Sequence, residues 1–204
     1  MSGIAVGITH DAHLDADFVV SLVRLQQAYP MPVIFQKGPI GRLDVARNRV
    51  FSQFLKSDRD WLLMLDTDMV FTPSDFAELA KEANDPNALI VSGLYYQADI
   101  ESGSMRPMLF DFNGDHIVQR THVTSGSHIQ HPDLTGFGFC MIHRKVLEAF
   151  GSEPWCDNTR QGPGGQAMSE DFSFFCRAGQ LGFRPNVVTT IQPGHIKPMV
   201  LYGG

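Results

Sequence analysis

Short apolar runs alternate with helix-spaced apolar positions through the first half of the chain. Residues 4–9 form a strand-length apolar run. Over residues 15–29, Phe18, Leu22, Leu25 and Tyr29 recur three to four apart and predict a helix, which Pro30 and Pro32 end. Residues 33–35 read as a second strand, and Lys37 to Gly41 as a loop punctuated by Gly and Pro. Leu43, Ala46, Val50 and Phe54 share one stripe of a helix over residues 42–56. Residues 61–65 are a third buried strand. Thr72 and Pro73 open a third helix, lined by Phe76, Leu79, Ala80 and Ala83, and residues 88–91 are a fourth strand. Strands alternating with helices in this way predict an α/β fold with a mostly parallel central sheet, Rossmann-like, and helices on both faces.

The pattern changes after Gly93. Residues 107–112 and 116–121 flank Asn113-Gly114-Asp115, a hairpin signal that predicts a small antiparallel part. Residues 137–142 read as a strand and 144–150 as a short helix. Residues 153–168 hold Pro154, Gly162, Pro163, Gly164 and Gly165, and read as a long surface loop, either a lid or merely floppy. Ser169 caps a helix reaching Gln180 with Gly182 beyond it, residues 187–191 are a last strand, and residues 192–204 an irregular tail. The length fits a single domain over 1–204, which the change of pattern divides into halves 1–92 and 93–204.

Composition narrows the partners. A net charge of −6 disfavours a dedicated nucleic-acid binder, which carries a basic face. Cys140, Cys156 and Cys176 form no CxxC pair, so they read as buried thiols in a reducing compartment. The expectation is a cytoplasmic protein with no membrane span and no signal peptide.

Trp61-Leu62-Leu63-Met64-Leu65-Asp66-Thr67-Asp68 carries the chemistry. Side chains two apart in an extended chain project to one side, so Asp66 and Asp68 leave the carboxyl end of the strand together. Open α/β sheets bind ligands at that edge. Close carboxylates repel unless a cation or shared proton intervenes, which points to a divalent metal and a phosphorylated ligand. Arg42, Arg47 and Arg49 on the preceding helix are candidate diphosphate contacts, because a guanidinium is planar and permanently charged.

Several motifs follow one another in the order of a known family. They are the Ala46-Arg47-Asn48-Arg49 helix, Asp66-Thr67-Asp68, the segment from Gly136-Phe137-Gly138-Phe139, Ser169-Glu170-Asp171-Phe172, and His195 in Gly194-His195-Ile196-Lys197. In this the chain resembles the GT-A type of nucleotide-sugar-dependent glycosyltransferase, especially family 2. The resemblance implies a hexosyltransferase-like enzyme with Mn²⁺ or Mg²⁺ as cofactor, ligated by Asp68 and His195. Asp66 would serve the ribose or a metal-bound water. It implies Asp171 as general base within the Glu170-Asp171 pair, and transfer to an acceptor hydroxyl with inversion. Thr9, His10, Lys37, Arg42, Arg47, Thr67 and Gly136 fall where that family holds donor nucleotide, diphosphate or sugar. Trp155 is a candidate stacking platform for a sugar, or a packing residue. The acceptor stays open among protein, glycan, lipid-linked and modified-base classes.

Two alternatives use the same residues. One is a haloacid-dehalogenase-like phosphatase with Asp66 as nucleophile; its motif belongs on a first strand, whereas two β-α units precede it here. The other is a non-catalytic nucleotide-sugar-binding module, for which Asp171 would be dispensable.

Overall fold

The computed structural model describes residues 3–10, 13–98, 103–151 and 154–197. Asp11, Ala12, Glu153 and the tail beyond Lys197 lie outside the described residues. Strand β1 (Ile4–His10) leads to α1 (Ala16–Ala28), whose Asp15 cap accepts from the Asp17 amide. Next come β2 (Val33–Lys37), α2 (Leu43–Leu55) and β3 (Trp61–Asp66). A two-residue strand, β4 (Met69–Val70), precedes α3 (Pro73–Glu82), which opens on a reciprocal Thr72–Asp75 capping box. The second half contains β5 (Ile90–Gly93), β6 (Tyr96–Ala98), β7 (Met105–Pro107), β8 (Phe110–Asn113), β9 (His116–Gln119) and β10 (Ile129–Gln130). It ends with β11 (Phe139–His143), α4 (Arg144–Ala149), α5 (Glu170–Gln180), β12 (Asn186–Val188) and β13 (Gly194–His195).

The central sheet has seven strands in the order β10-β12-β5-β11-β3-β1-β2. Five run in one direction; β11 is antiparallel to both β3 and β5, and β10 to β12. Three two-strand ribbons accompany it: β8 with β9, β6 with β7, and β13 with β4. The expected hairpin is the first of these, turning at Gly114 with φ +59°, where a side chain would be strained. Its first strand begins at Phe110, because residues 105–107 pair instead with β6.

Apolar positions fill both faces of the sheet. Ile4, Val6, Ile8, Leu63 and Leu65 meet α1 and α3 through Phe18, Leu25, Phe76 and Leu79. Ala5, Leu62, Met64 and Ile142 meet α2, α4 and α5 on the other side. There Phe51, Phe137, Phe174 and Phe175 pack ring against ring with centroids 5.0–5.9 Å apart. Each such contact adds about 0.5–1.5 kcal/mol beyond area burial, so this cluster holds α5 firmly against α2.

The long loop is anchored at its start. Asn48 of α2 donates to the Cys156 carbonyl at 2.7 Å and accepts from its amide at 3.0 Å, and the Asp157 amide donates to Ser173 Oγ of α5. Pro163–Gly165 is a single 3₁₀ turn, and Gln166 reaches His116 and the Ile117 amide of β9. Trp155 is used for packing: its Nε1 donates to the Leu147 carbonyl and its ring meets Phe51 edge-on.

Candidate active site

Strand order places the site. The chain adds β2 to one side of β1 and β3 to the other, so the connections diverge above the carboxyl ends of β1 and β3. Crevices of α/β sheets open at such a reversal. Here a cleft of about 510 Å³ is lined by Thr9 and His10 from β1, and by Asp66, Thr67 and Asp68 beyond β3. Thr9 and Asp66 stand side by side in register. Arg47, Tyr95, Asp171, His195 and Lys197 complete its charged and aromatic lining.

The two motif carboxylates have separate partners. Asp66 accepts from Arg47 Nη2 at 3.1 Å, and its backbone amide donates to the Gly138 carbonyl. Asp68 lies in the turn into β4. Pairing of β13 with β4 sets His195 opposite Met69, and the Ile196 amide donates to the Asp68 carbonyl at 2.8 Å. His195 Nε2 then sits 3.2 Å from Asp68 Oδ2, and Lys197 Nζ donates to the same oxygen at 2.6 Å. Burial opposes ionisation of Asp68, but these two partners outweigh it and hold its pKa at about 2.

His195 Nδ1 lies 2.9 Å from the Tyr96 carbonyl. A carbonyl only accepts, so Nδ1 carries the hydrogen and Nε2 faces the carboxylate with its lone pair. A cation placed between Nε2 and the Asp68 carboxylate would be held by both. Ligands bonded at about 2.1 Å at right angles on one ion stand about 3 Å apart, which matches this pair. Among the described residues there is no group of three or more His, Cys, Asp or Glu side chains placed to hold a metal. The pair fits an ion that takes its remaining ligands from a bound diphosphate, the usual arrangement for Mg²⁺ at phosphate sites.

Asp171 occupies the first turn of α5 and lies part-buried in the cleft. Desolvation pushes its pKa up to about 6. Arg47 and hydrogen bonds from Ser169 Oγ and the Phe172 amide pull the other way, and the Glu170 charge adds to the rise. Ser169 thus serves the carboxylate; its side chain makes no cap bond to the helix. Gly136 and Gly138 close over Tyr95, whose buried hydroxyl accepts from the Gly138 amide. A Cβ on Gly136 would stand 2.1 Å from that hydroxyl and 3.4 Å from Asp171 Oδ2.

Arg47 joins the two regions. Its side chain is only 4% exposed, and Nη2 lies 3.3 Å from Glu170 Oε1 as well as 3.1 Å from Asp66. The guanidinium stacks 4.5 Å from the Phe137 ring, while its buried Nε and Nη1 make no hydrogen bond among the described residues. Asp66, Asp68, Glu170 and Asp171 face two permanent cations, Arg47 and Lys197, which leaves two unmatched negative charges. A divalent ion would balance them.

The structure gathers Thr9, His10, Arg47, Asp66, Thr67, Asp68, Asp171 and His195 at one cleft, with Glu170 and Gly136 directly behind it. Lys37 is exposed and outside the lining, as is Arg42, which forms a fork with Asp44 at 2.8–2.9 Å. An acidic residue two positions on captures that guanidinium, and no helical periodicity would have revealed it. Arg49 is exposed on the outer face of α2. Sequence reasoning missed Tyr95 and Lys197. Tyr95 carries no signal besides its place just after a buried strand; Lys197 carries only its position two residues past His195.

The sequence pattern described as Glycosyl transferase family 2 matches residues 14–151, more than half of the chain. No curated protein matches. Among solved structures, the A197 protein from STIV is 17% identical at TM-score 0.64, over 96% of this chain and 86% of that one. GalNAc-T7, solved with UDP, GalNAc and Mn²⁺, is 13% identical at TM-score 0.64; 96% of this chain aligns with 44% of that one. The inositol-1-phosphate CTP transferase from T. maritima is 12% identical at TM-score 0.52, covering 95% and 88%. At these identities the structures attest the GT-A fold alone. The family match is the stronger finding, and by it this chain belongs to glycosyl transferase family 2.

Proposed function

We propose that this chain moves a sugar from a nucleoside-diphosphate sugar to an acceptor hydroxyl, with a divalent metal and with inversion at the anomeric carbon. The observation that carries this reading is the division of one cleft into two stations. One is the Asp68–His195 pair, fitted to a metal-bound diphosphate; the other is the desolvated carboxylate of Asp171.

Asp68 and His195 would hold Mn²⁺ or Mg²⁺, imidazole favouring Mn²⁺. Bound there, the ion would offset the charge that builds on the departing nucleoside diphosphate. Asp171 takes the proton of the acceptor hydroxyl as its oxygen attacks the anomeric carbon. A carboxylate with a pKa near 6 is a better base than a solvated one and is still ionised at neutral pH. Ser169 and the Phe172 amide fix its orientation. Arg47 orients Asp66 and Glu170, and Asp66 with Thr9 beside it would meet the nucleoside. Gly136 and Gly138 let the backbone close over Tyr95, which lines the cleft with Asp171. One base and one leaving group at separate stations suit a single displacement.

The phosphatase alternative gains nothing from the structure. Asp66 is held by Arg47, and its strand is the third in the chain, flanked by antiparallel β11. A non-catalytic module would tolerate Asp171→Asn, whereas a transferase should bind the donor nearly as well and transfer far more slowly. No described helix is long and apolar enough to cross a membrane.

Thermal shift tests the binding half of the proposal. Mn²⁺ with a nucleoside diphosphate, screened across the common nucleosides, should raise the melting temperature well beyond either alone. Asp68→Ala should abolish that synergy. Absence of any synergy in the parent protein, or its survival in Asp68→Ala, contradicts the metal assignment.

A further inference from the structure

Asp68 is more crowded than a waiting metal ligand needs to be. Lys197 Nζ donates to its Oδ2 at 2.6 Å, on the same oxygen that faces His195 Nε2. The ammonium thus stands beside the position that a cation shared by Asp68 and His195 would take. An ammonium and a divalent ion on one carboxylate oxygen repel each other strongly. Lys197 is free to leave: its side chain is 45% exposed, it lies two residues past the end of β13, and Asp68 is the partner it engages. Its reach covers the cleft mouth, whose lining it shares with Gln97 and His195.

We propose that Lys197 is an internal counter-ion that couples metal binding to diphosphate binding, a role resting on the metal-site reading above. With the cleft empty, Lys197 satisfies Asp68. A metal ion arriving alone displaces the ammonium into water and meets only two protein ligands. When a diphosphate arrives with the ion, Lys197 transfers from Asp68 to the phosphate oxygens. Its release then no longer opposes metal binding, and it contributes an ion pair to the donor. Coupling of this kind is reciprocal: the diphosphate tightens the metal by the factor with which the metal tightens the diphosphate. The device keeps the cleft from filling with free metal and ties the metal to donor.

Mn²⁺ binding, followed by the electron paramagnetic resonance of the free ion, tests this without any turnover. The second probe is inorganic pyrophosphate premixed with Mn²⁺, because the nucleoside is not needed for the contact. Lys197→Met should bind Mn²⁺ alone about tenfold or more tightly than the parent chain, and should bind the Mn²⁺–pyrophosphate complex more weakly. Lys197→Arg keeps the charge and should restore coupling. Lys197→Met binding Mn²⁺ no more tightly than the parent overturns the proposal, even while Asp68→Ala still abolishes binding and upholds the metal site. Lys197→Met binding the pyrophosphate complex as well as the parent overturns the transfer to phosphate. Equal Mn²⁺ binding by the parent, Lys197→Met and Asp68→Ala overturns the metal site and this role together.

Discussion

Asp171 concentrates the residue-scale chemistry. Its pKa of about 6 arises chiefly from desolvation, which the guanidinium of Arg47 and the Ser169 hydroxyl only partly offset. In the proposed reaction the ionised form is the base, so kcat/KM should fall about tenfold for each pH unit below 6 and level off above it. A pH–rate profile with no acid limb between pH 5 and 7 would contradict this. The same shift has a stability consequence with a definite sign. The folded pKa lies above the unfolded value near 3.8, so the fold prefers the protonated acid. The penalty on the carboxylate is fully present above pH 6 and fades as the pH falls towards 4. Asp171→Asn should therefore stabilise the chain by about 1–3 kcal/mol at pH 8, with little gain at pH 4. For a chain of this size that is a rise of about 2–4 °C in melting temperature per kcal/mol, readable by calorimetry at the two pH values.

At the scale of elements, the buried strands and amphipathic helices were legible because their periods are local. The run ending in Asp66 and the stripe Ala46, Val50 and Phe54 needed no partner to be recognised, whereas Leu43, read on the same stripe, is exposed at the cleft. The direction of β11 was not legible: an apolar strand buried on both faces reads alike whether it runs parallel or antiparallel. The short strands β4 and β13 were invisible too, since each is two residues long and exists only through the other. Yet that pairing is what delivers His195 to Asp68, so the ligand geometry rests on an element with no local signal. Glu170-Asp171 was readable as a first-turn pair, but the seat of Asp171, against Gly136 and in the cleft with Tyr95, is assembled only by packing. That seat makes a specific prediction. Gly136→Ala would place a methyl against the Tyr95 hydroxyl, so backbone or tyrosine must shift. Transfer should drop by at least about tenfold, since misplacing a reacting group by about 1 Å can cost about a hundredfold. Far-ultraviolet circular dichroism should stay unchanged. Full activity in Gly136→Ala would show that this contact does not position the base.

At the scale of the molecule, the fold gathers the ends of β1 and β3, the first turn of α5, and the β4–β13 ribbon around one cleft. Four carboxylates against two permanent cations make that cleft acidic, so a bare diphosphate would be repelled and one accompanied by a divalent ion drawn in. Binding, charge balance and base activation then belong to one arrangement. The measurement that tests it most directly is nucleoside diphosphate release from a panel of nucleotide sugars with Mn²⁺, comparing the parent chain with Asp171→Asn. The account predicts Mn²⁺-dependent release with at least one sugar nucleotide. In Asp171→Asn that release should slow by about 10²–10⁴-fold while the donor still binds with similar affinity. Release that proceeds at the parent rate in Asp171→Asn, or that is indifferent to Mn²⁺, would contradict it.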